Sequence, residues 1–175
     1  MIMRHIVVIP FQDEWKQAYE REAGRLSHVL SPVIAAIHHI GSTAIPGVAA
    51  KPTIDILAEV SDLNEVDKKN EPMSKIGYEA FGEYGIKGRR YFCKTDAEGS
   101  HLVHVHVFAA GTEEVIRHLA FRDYLATHKE DADFYSALKQ ELASQFPNDI
   151  QSYCIGKDAA AEKIEKLALQ WWYSE

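Results

Sequence analysis

The chain has 175 residues, 46% apolar and 26% charged, with 26 acids against 19 Lys and Arg and a formal charge of −7. This composition fits one folded domain with a sizeable core and excludes disorder, and the acidic balance excludes a general nucleic-acid binder, which needs a broad basic surface. No apolar run nears the roughly 20 residues of a membrane span, Met1–Pro10 lacks the small-residue cleavage site of a secretory signal, and Cys93 and Cys154 alone build neither a disulfide scaffold nor a four-ligand zinc site, so a cytoplasmic, thiol-tolerant protein is expected.

In chain order, Asp13 is placed to cap a helix carrying Trp15, Ala18, Tyr19, Leu26 and Leu30, which Pro32 should end. Ile34–Ile40 reads as a strand running into Gly41-Ser42, and residues 53–60 as the next strand. A short helix is expected between Ser61 and Ile76, weakened by Pro72. Tyr78–Tyr84, Arg89–Thr95 and Leu102–Phe108 follow as strands separated by Gly-bearing turns. From residue 113 the period changes to that of helices. Ile116, Leu119, Ala120 and Tyr124 recur at steps of three and four, with Thr112 as N-cap. Phe134, Leu138, Leu142 and Phe146 recur every four residues until Pro147. A last helix starting near Asn148 or Asp149 carries Tyr153, Ile164, Leu167, Ala168 and Trp171.

The expected fold is therefore α+β within a single domain, 1–175. A mixed β-sheet with flanking helices occupies about 1–112, and a C-terminal helical half about 113–175. Charge divides along the same line, with 14 acids and 12 bases in the first stretch and 12 acids and 7 bases in the second. Most of the negative excess belongs to the helices.

The residues that could carry chemistry lie mainly in the first stretch. A strand that ends in Gly41-Ser42 and enters a helical turn presents unpaired N–H groups, and the Ser42 hydroxyl adds a donor. Such a turn suits a phosphate, unless it is a plain strand–turn–helix junction. Asp55 stands on the following strand. In His101–Phe108 the valines at 103, 105 and 107 fall on one face, with His104 and His106 on the other. That pair could ligate a metal with Asp55, contact phosphate, or simply face solvent.

Lys87–Lys94 has four cations and no acid, which makes either an anion-binding edge through Arg90 or Arg89 or a solvated hairpin. Lys51 and Lys157 read as phosphate-neutralising or as surface cations, and His39 as a buried, hydrogen-bonded histidine. Arg122 and Asp123 can form an ion pair. Trp171-Trp172-Tyr173 suggests packing or a dimer contact, hence a homo-oligomer. Cys93 and Cys154 have no histidine base in their sequence context and are expected to be structural thiols.

Gly-Ser, about ten residues and then a strand bearing acids is similar to the signature of the nucleotidyltransferase superfamily. More narrowly, the chain resembles the GrpB family of nucleotidyltransferase-fold proteins. The resemblance rests on His39-Ile-Gly-Ser-Thr-Ala-Ile-Pro-Gly47, Ala50-Lys-Pro-Thr-Ile-Asp-Ile56 and His104-Val-His-Val107. It continues through Phe121-Arg-Asp-Tyr-Leu125, Tyr135-Ser-Ala-Leu-Lys139 and Tyr153-Cys-Ile-Gly-Lys157.

The resemblance implies a nucleoside triphosphate at Gly41 and Ser42, supported by Lys51 and Arg90, and a small-molecule acceptor. It also implies a divalent metal at Asp55, with His104 and His106 as further catalytic and metal-binding residues. Magnesium or manganese is the expected ion, and imidazole ligands shift preference toward manganese, iron or zinc. Nucleotidyl transfer ordinarily uses two ions bridged by acids at i and i+2 of a strand. Here Thr53 and Leu57 flank Asp55, and Glu59 is ~13 Å further along the strand, so one carboxylate is missing and the histidines would complete or replace it. The readings are nucleotidyl transfer, a catalytically degenerate nucleotide-binding or regulatory module, and a metal-dependent phosphoesterase.

Overall fold

A computed structural model describes residues 5–175, so Met1–Arg4, part of the stretch read against a secretory signal, lies outside the described residues. The chain forms two compact units. One comprises Asp13–Ile40 and Thr53–Ile116 and contains the sheet. The other takes the N-terminal segment ending at Gln12 together with Gly41–Pro52 and Arg117–Glu175. The halves expected at 1–112 and 113–175 are thus not two continuous stretches, because two early segments pack with the late helices. Ile9 and Ala50 tie those segments together by a pair of 3.0 Å backbone hydrogen bonds.

The sheet unit begins with α1 (Glu14–Leu30) and contains β1 (Ile34–Ile40), β2 (Ile54–Val60), α2 (Leu63–Asp67), α3 (Asn70–Lys75), β3 (Tyr78–Ala80), β4 (Arg90–Thr95) and β5 (His101–Ala109). The strands run in the order β1-β2-β5-β4-β3, with β2 and β5 parallel and the other pairs antiparallel, so the sheet is mixed. Side chains alternate by two. Ile54, Ile56, Ala58 and Val60 share one face with Val103, Val105, Val107 and Phe92, and all eight are buried. Helix α1 lies on this face. Its Tyr19 stacks on His39 at 4.7 Å and donates to the Ile37 carbonyl at 3.2 Å, so His39 serves packing. Its Glu22 accepts from the Tyr78 hydroxyl at 2.7 Å and from Lys94 at 3.0 Å.

Three expectations are corrected here. The helix expected between Ser61 and Ile76 is two short ones, and Pro72 sits in the first turn of α3, where a missing N–H breaks no helical bond. The strand expected over Tyr78–Tyr84 stops at Ala80, because Gly82 and Tyr84 adopt positive φ of 61° and 46°, which turns the chain. Asp13 precedes α1, but its side chain makes no capping hydrogen bond.

The unit division falls inside α4 (Glu113–Thr127). The helical unit also holds a 3₁₀ turn at Ser42–Ala44, α5 (Lys129–Gln145) and α6 (Ile150–Ser174). Asp149 caps α6 by accepting from Ser152 N at 3.0 Å. Ile45, Val48, Ala120, Tyr124, Leu125, Ala132, Tyr135, Ile164 and Ala168 form one core cluster. Ile6, Leu142, Ala143 and Tyr153 form another.

The stripe expected on α5 is rotated from the true one. Phe134 is 60% exposed, whereas Ala132, Tyr135, Lys139, Leu142 and Ala143 are buried. Steps of three and four hold one face of a 3.6-residue helix, while repeated steps of four drift by about 40° each. On α6, Ile164 and Ala168 are buried but Leu167 is not. Trp171 and Trp172 pack against the first cluster, leaving Tyr173 exposed. No helix among the described residues is long and apolar enough to cross a membrane.

Candidate functional site

The polar face of the sheet is assembled by register. Asp55 lies opposite His104 on β5, and Leu57 opposite His106; on the other side, Cys93 pairs with His104 and Tyr91 with His106. Parallel pairing of β2 with β5 therefore sets Asp55 beside both histidines expected to join it. Asp55 Oδ1 is 3.3 Å from His104 Nδ1 and 3.6 Å from His106 Nε2. The Tyr91 ring lies 5.6 Å and 5.5 Å from the two imidazoles.

The outer nitrogens of these histidines fix their inner ones. Arg89 Nη1 is 3.3 Å from His106 Nδ1. A guanidinium only donates, so Nδ1 accepts and Nε2 carries the proton that faces Asp55. On the other side His104 Nε2 is 2.7 Å from His101 Nδ1. Asp55 accepts the Nδ1 proton of His104, which leaves Nε2 to accept from His101. The result is a continuous chain of donors, with both arms converging on one carboxylate. Burial pushes the Asp55 carboxyl up, but hydrogen bonding to His104 and His106 outweighs it and holds the group well below the usual carboxylate range. Arg89 is itself buried and anchored, donating to the Tyr84 carbonyl at 2.7 Å and the Glu83 carbonyl at 3.1 Å.

Other expected residues fall elsewhere. Arg90 pairs in register with Val107, so it projects from the opposite face, where Asp67 holds its guanidinium at 2.6 Å and 3.2 Å. The cation beside the histidines is Arg89, not Arg90. Glu59 accepts from His38 at 2.7 Å and from Gly111 N at 3.3 Å, which engages it away from Asp55. The sequence context of Cys93 supplies no histidine base, yet β4–β5 pairing sets it opposite His104. Such a cross-strand neighbour is invisible in local sequence.

In the helical unit, Gly41 has φ of 71° and precedes the 3₁₀ turn, whose bonds run from Ala44 N to Gly41 O and from Ile45 N to Ser42 O, both 3.1 Å. Only a glycine takes that angle without strain. The Ser42 hydroxyl accepts from Lys139 Nζ at 2.6 Å. Lys139 is 3% exposed, and its ammonium lies 4.7 Å from the Tyr135 ring centroid. Sequence reasoning gave this lysine no role, although it closes the Tyr135–Lys139 motif and sits on the buried line of α5. Lys51 and Lys157 come to one ring, at 5.4 Å and 5.9 Å from the centroid of buried Tyr153. Gly156 permits close packing there, since a Cβ would come within 2.6 Å of Leu142 Cδ2. Arg122 and Asp123 pair at 2.7 Å as expected.

These residues fit one hard divalent ion better than two. Asp55 supplies a carboxylate, and magnesium commonly takes one or two such groups and completes its shell with water and phosphate oxygens. The neighbouring positions add no acid: Leu57 is fully buried, and the Thr53 hydroxyl donates to the His101 carbonyl at 3.0 Å. His106 lies between Arg89, 3.3 Å from its Nδ1, and Asp55, 3.6 Å from its Nε2.

Comparison with known proteins agrees with the fold. Residues 5–167 match the family model described as GrpB protein. The chain is 44% identical over 168 residues to the UPF0157 protein YqkA of Bacillus subtilis, covering 96% of this chain but only 48% of that protein. It is 33% identical to the glutamate-rich protein GrpB of Alkalihalophilus pseudofirmus, covering 91% of this chain and 93% of that one. The crystal structure of conserved protein GrpB from Enterococcus faecalis superposes with a TM-score of 0.91 at 40% identity, over 95% of this chain and 99% of that one. Cid1, solved in complex with its short product ApU, superposes with a TM-score of 0.51 at 11% identity, over 75% of this chain and 40% of that one. That last likeness concerns the fold alone, a mixed sheet with flanking helices.

Proposed function

The chain belongs to the GrpB family, and from that premise we propose that it binds a nucleoside triphosphate with a divalent cation and transfers a nucleotidyl group to a small acceptor. The observation that carries this reading is the buried ammonium of Lys139 against the Ser42 hydroxyl. That contact sets a cation directly behind the glycine-serine turn, within the same compact unit. Backbone N–H groups and a cation together suit phosphate. Lys51 and Lys157, gathered over Tyr153, extend the positive character of the helical unit.

In the order of the family signature, Gly-Ser serves the phosphates and the acid of the following strand serves the ion. Asp55 takes that second role. When bound, the ion would supply charge neutralisation on phosphate oxygens. His104 and His106 orient the Asp55 carboxylate and keep it ionised, and Arg89 fixes the proton of His106 toward it. The acceptor is a small molecule, since the net charge of −7 opposes a polyanionic one.

The test is pyrophosphate release from ATP or GTP with Mg²⁺ or Mn²⁺ across a panel of small hydroxyl and phosphate acceptors, with Asp55→Asn as control. Release that depends on Asp55 supports transfer. Thr53 and Leu57 standing where a second acid would be favours one other reading, a module that binds the triphosphate without turnover. Saturable binding with no release from any acceptor supports that reading instead.

A further inference from the structure

We propose that Cys93, His101 and His104 form a binding site for a thiophilic transition-metal ion of the zinc class. One ligand atom from each of the three side chains lies within 4.8 Å of the other two. The site is separate from the triphosphate chemistry above and does not depend on it, although Asp55 touches both.

Strand register builds the cluster. Cys93 and His104 face each other across β4 and β5, on the same side of the sheet as Asp55. His101 is an odd number of residues from His104, and simple alternation would put it on the valine face. A bulge corrects this. Lys94 pairs with Val103 and Thr95 with His101, so Leu102 is an extra residue on β5 and its side chain is left 41% exposed. Bulges re-aim side chains in this way, and here His101 turns to bring Nδ1 to 2.7 Å from His104 Nε2. The bulge is held by the Thr53 hydroxyl, which donates to the His101 carbonyl at 3.0 Å.

The geometry and chemistry suit zinc. Bonds of about 2.3 Å to sulfur and 2.0–2.1 Å to nitrogen put tetrahedral ligand atoms roughly 3.3–3.6 Å apart. The two imidazole nitrogens, 2.7 Å apart, therefore need to part by well under an ångström, and the ligand atoms, which lie within 4.8 Å of one another, to draw together by up to about 1.5 Å, to admit an ion. Asp55 Oδ1, 3.3 Å from His104 Nδ1, holds the proton on that nitrogen and leaves Nε2 as the lone pair aimed at the cluster. A carboxylate behind a ligating histidine is the usual support of such sites. On binding, Cys93 loses its thiol proton to solvent and the His101 proton moves from Nδ1 to Nε2. One sulfur and two imidazoles select zinc or copper over magnesium and calcium. Three protein ligands leave a fourth position for water or substrate.

The experiment uses the full chain, stripped with a chelator and titrated with Zn²⁺ or Co²⁺ in the absence of nucleotide. The expected result is one ion per chain, a thiolate-to-cobalt charge-transfer band, loss of that band in Cys93→Ser, and zinc affinity at least tenfold weaker in His101→Asn. Asp55→Asn keeps the band and weakens binding by about 10–100-fold. A wild-type cobalt spectrum without the thiolate band, no saturable zinc binding, or full affinity in both Cys93→Ser and His101→Asn overturns the proposal. Because the wild-type spectrum decides the first point, a variant that fails to fold does not shelter it. A failure of nucleotide binding leaves these zinc measurements untouched.

Discussion

Arg89 Nη1 sits 3.3 Å from His106 Nδ1, and as a pure donor it assigns the histidine proton to Nε2, toward Asp55. Nitrogen-edge NMR of the imidazoles should show His106 as the Nε2–H tautomer in the wild type and a mixture in Arg89→Met. The same variant leaves the Glu83 and Tyr84 carbonyls without their guanidinium partner, which should cost about 2–4 kcal/mol in urea unfolding. An unchanged tautomer in the variant would remove Arg89 from the relay.

Asp55 and Glu22 should shape the acid limb of stability. Both carboxyls are held below their ordinary range despite burial, Asp55 by His104 and His106, and Glu22 by Tyr78 and Lys94. A depressed folded value means that the stabilisation is fully present above the unfolded range, near pH 4, and is lost progressively as pH falls from there through the lower folded value. Melting temperatures measured from neutral pH downward should fall less steeply in Asp55→Asn and in Glu22→Gln than in the wild type. Parallel curves would show that these contacts contribute nothing to acid stability.

The corrected face of α5 is testable by two substitutions. Leu142→Ala removes a buried side chain packed against Tyr153 and should cost about 2–5 kcal/mol. Phe134→Ser changes an exposed residue and should stay within about 0.5 kcal/mol. Equal losses in denaturant titrations would restore the step-of-four stripe as the buried one.

Lys139→Met is the sharpest separation of binding from folding. The methionine keeps the apolar chain out to Cε and removes only the ammonium, so the fold should be retained. Triphosphate affinity should fall by at least about tenfold, the equivalent of 1.4 kcal/mol. Loss of fold without loss of affinity per folded molecule would make Lys139 structural.

Much of the fold was legible because period two and period 3.6 are local properties. Ile34–Ile40 emerged with its bounds intact, and the late helices were placed within a residue or two. The truncation at Ala80 was not legible, since positive φ at Tyr84 depends on the turn that Arg89 braces. The grouping of Asp55 with His104 and His106 followed from alternation plus a resemblance. The choice between Arg89 and Arg90 did not, because adjacent strand residues point to opposite faces and only the partner register says which faces what. Cys93 with His104 is a cross-strand pair, His101 is re-aimed by a bulge, and Lys139 meets Ser42 from 97 residues away. No local pattern encodes contacts of that kind.

The central claim is that this chain binds a nucleoside triphosphate, and isothermal titration of the full chain with ATP and GTP in the presence of Mn²⁺ or Mg²⁺ tests it most directly. The account predicts saturable binding at one site, no comparable binding of the free nucleoside, and affinity reduced at least about tenfold in Lys139→Met. Absence of binding by both nucleotides with either ion, in protein shown to be folded, would contradict it.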